Sequence, residues 1–244
     1  MAALAGRDEL VESSSLLSLR GVSRSFVSSG ETVSAVQDVS LAADAGEMVC
    51  VFGASGSGKT TLLNLIAGLD TADSGTVHIA DVEVGSLTES ERARHRLETV
   101  GVVFQEHQLI DEFTARENVA LPLEVRGLPV GKAARQADIE LERVGIRHLA
   151  DRMPSQMSGG QRQRVGIARA LAGQRRVLLA DEPTGALDST NSRALFALIR
   201  DLCRQGTLAV VCSHDAMCRE FADTVYEMID GQLLRREATV DALP

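Results

Sequence analysis

The chain has 244 residues, 44% of them hydrophobic, enough for one large domain or for a core with an inserted subdomain. A formal net charge of −9 argues against a general nucleic-acid or anionic-membrane surface, and the absence of Trp with only 3% aromatic residues argues against stacking platforms for single strands. The four cysteines (Cys50, Cys203, Cys212, Cys218) contain no CxxC pair and read as reduced thiols, and no apolar run approaches the length of a membrane span.

Residues 1–15 are polar and acidic and predict a mobile tail, not a signal peptide. Leu17-Ser18-Leu19-Arg20-Gly21-Val22 alternates like a strand. Residues 33–41 and Gly75-Thr76-Val77-His78-Ile79 add short strand signals, so the opening third predicts a small antiparallel layer around a first parallel strand, Met48-Val49-Cys50-Val51-Phe52. Residues 87–97 predict a charged helix with a Thr88-x-x-Glu91 capping box. Val100-Gly101-Val102-Val103-Phe104 predicts a buried strand ending at Gln105. From 106 to 156 β-branched runs thin out, while Ala133, Ala137, Leu141 and Val144 recur at helical spacing; this predicts a helical insertion. Residues 161–172 and 190–204 predict helices, the second with Leu195, Leu198, Ile199 and Leu202 on one face. Val177-Leu178-Leu179-Ala180 and Leu208-Ala209-Val210-Val211-Cys212 predict fully buried strands. Strands alternating with helices indicate an α/β fold with a parallel sheet.

The run Gly53-Ala54-Ser55-Gly56-Ser57-Gly58-Lys59-Thr60-Thr61 lies between an apolar strand and an amphipathic helix, the context a phosphate-binding loop requires. Glycines let several backbone N–H groups converge on one phosphate chain, and the helix that follows adds its positive dipole end. Lys59 supplies an ammonium for the β- and γ-phosphates, and Thr60 a hydroxyl for Mg²⁺. Asp181 and Glu182 end an all-apolar strand, where a parallel sheet faces its ligand crevice; Asp181 suits a Mg²⁺ shell and Glu182 the activation of a water. Gln105 and His214 end two further strands, the first suited to Mg²⁺ or the attacking water and the second to a γ-phosphate. Met157-Ser158-Gly159-Gly160-Gln161-Arg162-Gln163-Arg164 opens a helix with a serine and two glycines, a second anion-ready terminus. Two phosphate-binding devices for one nucleotide suggest two copies of the chain, each closing the other's site.

This ordered set resembles the ATP-binding subunits of ABC transporters over residues 17–234. The resemblance makes Gln105 the Q-loop glutamine and residues 157–161 the signature, with Met157 where the family usually has Leu. It makes Asp181 the magnesium aspartate, Glu182 the catalytic glutamate, Gly185-Ala186-Leu187-Asp188 the D-loop and His214 the switch histidine. Phe26 falls where the family places the aromatic that stacks on adenine. The stretch 104–119, with Asp-Glu-Pro-Thr-Gly at 181–185, is similar to the branch of lipoprotein-releasing, macrolide-exporting and cell-division ATPases, which commonly carries Asn at the place of Ala186. The fold implied is a P-loop NTPase (RecA-like) core with an antiparallel β layer and an inserted α-helical subdomain. Within a single domain at 16–240, the core would take 16–105 and 165–240 and the helical subdomain about 106–164.

The activity implied is hydrolysis of ATP with Mg²⁺, by a dimer whose closure on ATP powers separate membrane permease subunits at the cytoplasmic face of the membrane. Thr60 and Gln105 would hold Mg²⁺, with Asp181 through water. The expected docking surface is 105–119, where Leu109, Ile110 and Phe113 alternate with Asp111, Glu112 and Glu117. A membrane partner that signals across the envelope, or a soluble assembly ATPase, are the competing readings; the transported substrate is not written in this chain.

Overall fold

Strands that read as unbroken apolar runs lie at the centre of the molecule, as a sheet covered on both faces demands. The computed structural model describes residues 15–28, 31–105 and 108–236, so the expected tail at 1–15, Ser15 apart, and residues 237–240 of the expected domain lie outside it. β1 (Leu17–Ser28) and β2 (Glu31–Ala43) pair antiparallel. β3 (Met48–Phe52) leads through the glycine loop into α1 (Lys59–Ile66). β4 (Ser74–Ile79) and the two-residue β5 (Val82–Glu83) return beside β1, giving a four-stranded antiparallel sheet in the order β2-β1-β4-β5.

α2 (Glu89–Thr99) starts at the expected capping box: Glu91 N donates to Thr88 Oγ1 at 3.4 Å, and Thr88 N donates to Glu91 Oε2 at 2.8 Å. β6 (Val100–Val103) follows, then the helices α3 (Ala115–Val125), α4 (Val130–Arg143) and α5 (Gly159–Leu171). α3 and α4 pack on each other and on α5, and α5 packs on β6; the expected boundary at 164/165 falls inside this one continuous helix. The remaining elements are β7 (Val177–Asp181), α6 (Ser189–Arg204), β8 (Leu208–Ser213), the single-turn α7 (Cys218–Phe221), β9 (Thr224–Ile229) and β10 (Gln232–Arg236).

The second sheet has the order β10-β9-β3-β8-β7-β6, parallel throughout except for the β9–β10 hairpin. Alternation along its strands divides the core in two. Met48, Cys50, Leu178, Ala180, Ala209 and Val211 join buried residues of α3 to α6. Val49, Val51, Val177, Leu179, Leu208 and Val210 join α1 and the antiparallel sheet. All four cysteines are buried and free.

The segment after β6 is tied to α3 by one side chain. Asn118, fully buried, accepts from Ile110 N at 2.9 Å, and its Nδ2 lies 3.0–3.1 Å from the carbonyls of Ile110, Phe113 and Thr114. Leu109 packs onto the helical core, so the stretch expected as a docking patch spends part of its apolar surface inside. Asn118→Ala leaves a buried donor and several carbonyls short of partners, at a cost of about 1–3 kcal/mol for unsatisfied groups. The expected outcome is a lower melting temperature, with the Ile110 amide losing hydrogen-exchange protection before α3 does. Unchanged protection at Ile110 would remove Asn118 from this role.

Candidate active site

Four strands of the parallel sheet bring their carboxyl ends to one side, where such sheets bind ligands. β3 delivers the glycine loop, β7 delivers Asp181 and Glu182, β8 delivers His214, and Gln105 follows two residues after β6. Between them lies a cavity of ≈ 530 Å³. Of the expected residues, Ser55, Gly56, Ser57, Gly58, Lys59, Thr60, Thr61, Gln105, Asp181, Glu182 and His214 line it. Gly53 contributes from below, through its carbonyl.

Lys59 is 6% exposed. Its Nζ donates to the carbonyls of Gly53 at 2.8 Å and Ala54 at 2.9 Å, and stands 3.4 Å from Glu182 Oε1. Gly58, with φ 107, begins α1; a Cβ there would sit 2.1 Å from Ala35 O, so only glycine fits between loop and β2. Thr60 Oγ1 donates to Asp181 Oδ2 at 2.8 Å. The other oxygen, Asp181 Oδ1, is buried without a partner. Burial pushes the Asp181 carboxyl above its ordinary range, the Thr60 hydrogen bond opposes this, the negative charge of Glu182 adds to it and Lys59 lowers it. An orphaned carboxylate oxygen beside a threonine hydroxyl is the donor set that a hard divalent cation completes.

Glu182 turns away from β7 with φ 46, a left-handed conformation costing a non-glycine residue about 1–3 kcal/mol. Its backbone is held there by the bonds Glu182 N to Cys212 O at 2.9 Å and Gly185 N to Glu182 O at 3.1 Å. Its Oε2 accepts from His214 N at 3.2 Å and Ser213 Oγ at 3.3 Å, and lies 2.9 Å from His214 Nδ1. The histidine side chain is 65% exposed and the carboxylate 15%.

The cavity also has walls that sequence reasoning missed. Val33, Ser34, Ala35 and Gln37 of β2 line it, as do Asp230 and Gly231 of the β9–β10 turn. Gly231 N donates to Ser57 O at 3.0 Å and Gly231 O accepts from Gln37 N at 2.8 Å, so this turn clamps the loop to β2. The signal was the Asp-Gly pair, a strong hairpin marker. Phe26 lies outside the lining. It pairs with Val33 on β1, one strand behind the edge strand β2, is 40% exposed, and carries the Arg24 guanidinium 4.8 Å from its ring centre.

Residues 158–161 lie outside this cavity too. Ser158 caps α5: its Oγ accepts from Gln161 N at 3.3 Å, while Gln161 Oε1 accepts from Ser158 N at 2.9 Å. Met157 is 6% exposed and packs in the helical core, the part expected of an apolar unbranched residue. Residues 185–188 stand alongside: a Cβ on Gly159 would meet Leu187 Cδ2 at 3.5 Å and Ala186 O at 3.8 Å. Asp188 caps α6 by accepting from Asn191 N at 2.8 Å and Asn191 Nδ2 at 2.7 Å, bonds that lower its pKa.

Comparison with known proteins agrees with this geometry. A family model described as ABC transporter matches residues 36–185. The macrolide export ATP-binding/permease protein MacB of Pectobacterium atrosepticum is 40% identical over 228 residues, covering 93% of this chain and 35% of the relative. Its Salmonella typhi counterpart is 41% identical over 235 residues, covering 93% and 36%. The chain thus spans about a third of the length of these curated relatives. Among solved structures, the dimeric ATP-binding cassette MJ0796 in a post-hydrolysis state with ADP and Pi is 36% identical with a TM-score of 0.82, over 91% of this chain and 97% of that one. The cbiO1 protein of Clostridium perfringens, part of the ABC transporter complex cbiONQ, is 25% identical with a TM-score of 0.82, over 92% and 89%. Phosphate loop, strand-end carboxylates and helical insertion together follow from shared ancestry: the chain belongs to the ABC transporter family, as an ATP-binding, ATP-hydrolysing domain.

Proposed function

We propose that two copies of this domain close on two Mg-ATP molecules and that closure and hydrolysis drive a membrane-embedded permease. The observation that carries the reading is the separation of the two anion-ready termini. The cavity gathers the glycine loop and the strand-end carboxylates, while the signature terminus at Ser158 stands outside it beside the D-loop. A second copy presenting residues 158–161 to the cavity completes a phosphate site that one chain leaves open. The dimeric state of the MJ0796 cassette supports this arrangement.

In this reading Lys59 and the amides of 55–60 hold the phosphates, and Ser158, Gly159, Gly160 and Gln161 of the other copy close over them. Thr60, Gln105 and Asp181 would hold Mg²⁺, whose chemistry there is to neutralise charge on the phosphate oxygens. Glu182, held by Ser213 and His214, orients and deprotonates the attacking water; His214, exposed at the rim, reaches the γ-phosphate. Asp188 and its neighbours connect one copy's signature to the other copy's site. Phe26 contributes at the adenine end as a rim residue beside Val33. No helix among the described residues is long and apolar enough to cross a membrane; MacB is named as an ATP-binding/permease protein, and cbiO1 as part of an ABC transporter complex. We infer that the domain works at the cytoplasmic face of the membrane, against a permease docked on the side of β6 and the helical insertion.

Glu182→Gln keeps shape but loses the charge that activates water. Turnover is expected to fall by at least about 100-fold, and sizing chromatography with Mg-ATP is expected to show a monomer becoming a dimer. Adding Ser158→Arg should abolish that shift. Near-native hydrolysis by Glu182→Gln would remove Glu182 from the mechanism.

Asp181→Asn tests the cation site by opposing effects on stability and activity. Replacing a carboxylate whose charge is disfavoured by burial and by Glu182 with a neutral amide is expected to stabilise the nucleotide-free protein by about 1 kcal/mol, a rise of roughly 2–4 °C in melting temperature. The added stabilisation that Mg²⁺ brings to the ATP-bound wild type should be lost. An unaltered Mg²⁺ response on thermal melting with ATP would exclude Asp181 from the shell.

A further inference from the structure

Beside the nucleotide cavity stands an aromatic ring with no core around it. Phe26, 40% exposed, belongs to neither of the two buried clusters, yet it pairs across the antiparallel sheet with Val33, which lines the cavity. A ring so placed turns among its rotamers unless something holds it. Arg24, two residues earlier on β1, stands over that ring, its guanidinium carbon 4.8 Å from the ring centre. This is within the range at which a cation is drawn to a π face.

Arg24 is itself clamped. Its Nε donates to Asp70 Oδ2 at 3.0 Å and its Nη2 lies 2.8 Å from Asp70 Oδ1, a bidentate pair. Its Nη1 donates to Asp73 Oδ1 at 2.7 Å. Such bonds lie in the guanidinium plane and use its edges, which leaves its faces for a ring. The carboxylates are fixed in turn. Asp73 accepts from Ser25 N at 2.7 Å, and that bond, together with Arg24, holds its carboxyl below the ordinary range. Asp70 accepts from Thr71 N at 2.7 Å, and its own N donates to Asn64 O of α1 at 3.2 Å. The clamp therefore runs from the segment after α1, the helix whose first turn carries Lys59 and Thr60, to the ring on β1.

We propose that Arg24 is a positioning residue for the nucleobase: clamped by Asp70 and Asp73, it backs one face of the Phe26 ring and leaves the other face set to receive the adenine. The inference rests on the proposed place of Phe26 at the adenine end; the clamp and its contact with the ring come from the geometry. A ring already held in one orientation gives up less rotamer freedom when a base stacks on it. Because the clamp ends on the segment after α1, the same contacts keep the base-stacking ring in register with the helix that grips the phosphates.

The test measures binding of Mg-ADP and of Mg-tripolyphosphate, which has no base, by equilibrium titration on the full chain, with KM and kcat for ATP alongside. Arg24→Met is expected to weaken ADP binding about three- to tenfold, the range for one side chain left to be ordered on binding. The KM for ATP should rise by the same factor with kcat kept, and tripolyphosphate should bind as to wild type. In a Phe26→Ala background Arg24→Met should cost ADP nothing further, since the ring it positions is gone. Asp70→Asn loosens the clamp without touching the ring; it should shift ADP binding the same way and decides the matter if Arg24→Met does not fold. Equal losses of ADP and tripolyphosphate, additive losses in the double variant, or tighter ADP binding by Arg24→Met, as expected of a guanidinium occupying the base's own place, overturn the proposal. Weaker ADP binding in Phe26→Ala but not in Arg24→Met overturns the positioning role alone. Unchanged ADP binding in Phe26→Ala overturns the adenine-end reading of Phe26 and the proposal with it.

Discussion

The arrangement around the cavity depends on burying one ammonium group. A lysine 6% exposed has left water, and an unpaired charge in that position would cost far more than the fold can supply. Lys59 is compensated three times over, by two carbonyls of its own loop and by Glu182. Each compensation constrains a different part of the chain. The carbonyls of Gly53 and Ala54 reach Nζ only if the loop curls back on itself, which calls for the positive φ of Gly58. Glu182 reaches it only by leaving β7 in a left-handed turn, a strain held by the hydrogen bonds of Cys212 and Gly185. The residues suited to phosphate and to water are therefore paired with each other, and phosphate oxygens would compete directly for the same ammonium.

The outward-facing segments are organised on the opposite plan. Helices α2, α3 and α5 each begin with a reciprocal cap, at Thr88 with Glu91, Thr114 with Glu117 and Ser158 with Gln161. Caps of this kind contribute about 0.5–2 kcal/mol each and need nothing from outside the helix. The terminus at Ser158 is thus shaped by the chain itself, so less ordering entropy would stand against the proposed association with a second copy.

How much of this was legible in the sequence varied with how local the cause was. The central strands were readable because burial on both faces leaves only apolar residues, as in Val177-Leu178-Leu179-Ala180. The Thr88 cap was readable because its signal spans four residues. The helical spacing of Ala133, Ala137, Leu141 and Val144 falls on α4, which begins earlier, at Val130, directly after Pro129. β9 and β10 were missed although Asp230-Gly231 marks their turn, since Glu227 and the arginines of β10 blur the apolar pattern. The contribution of β2 to the cavity, and the place of Phe26 one strand behind it, depend on the order β2-β1-β4-β5, which no stretch of residues encodes by itself.

One of those distant contacts bears on how the molecule is made. Gly231 is hydrogen-bonded to Ser57 and to Gln37, and a Cβ at Gly231 would lie 2.9 Å from Ser34 O. A side chain added at Gly53 would meet Met228 O at 2.5 Å. The glycine loop is therefore braced by the hairpin at residues 224–236, which is synthesised long after it. At ~5–20 residues per second, roughly ten to thirty seconds separate synthesis of the loop from synthesis of its brace. During that interval the nascent chain carries every residue of the glycine loop without the contacts that hold its shape. The loop's shape is then completed only when the β9–β10 hairpin docks beside β3.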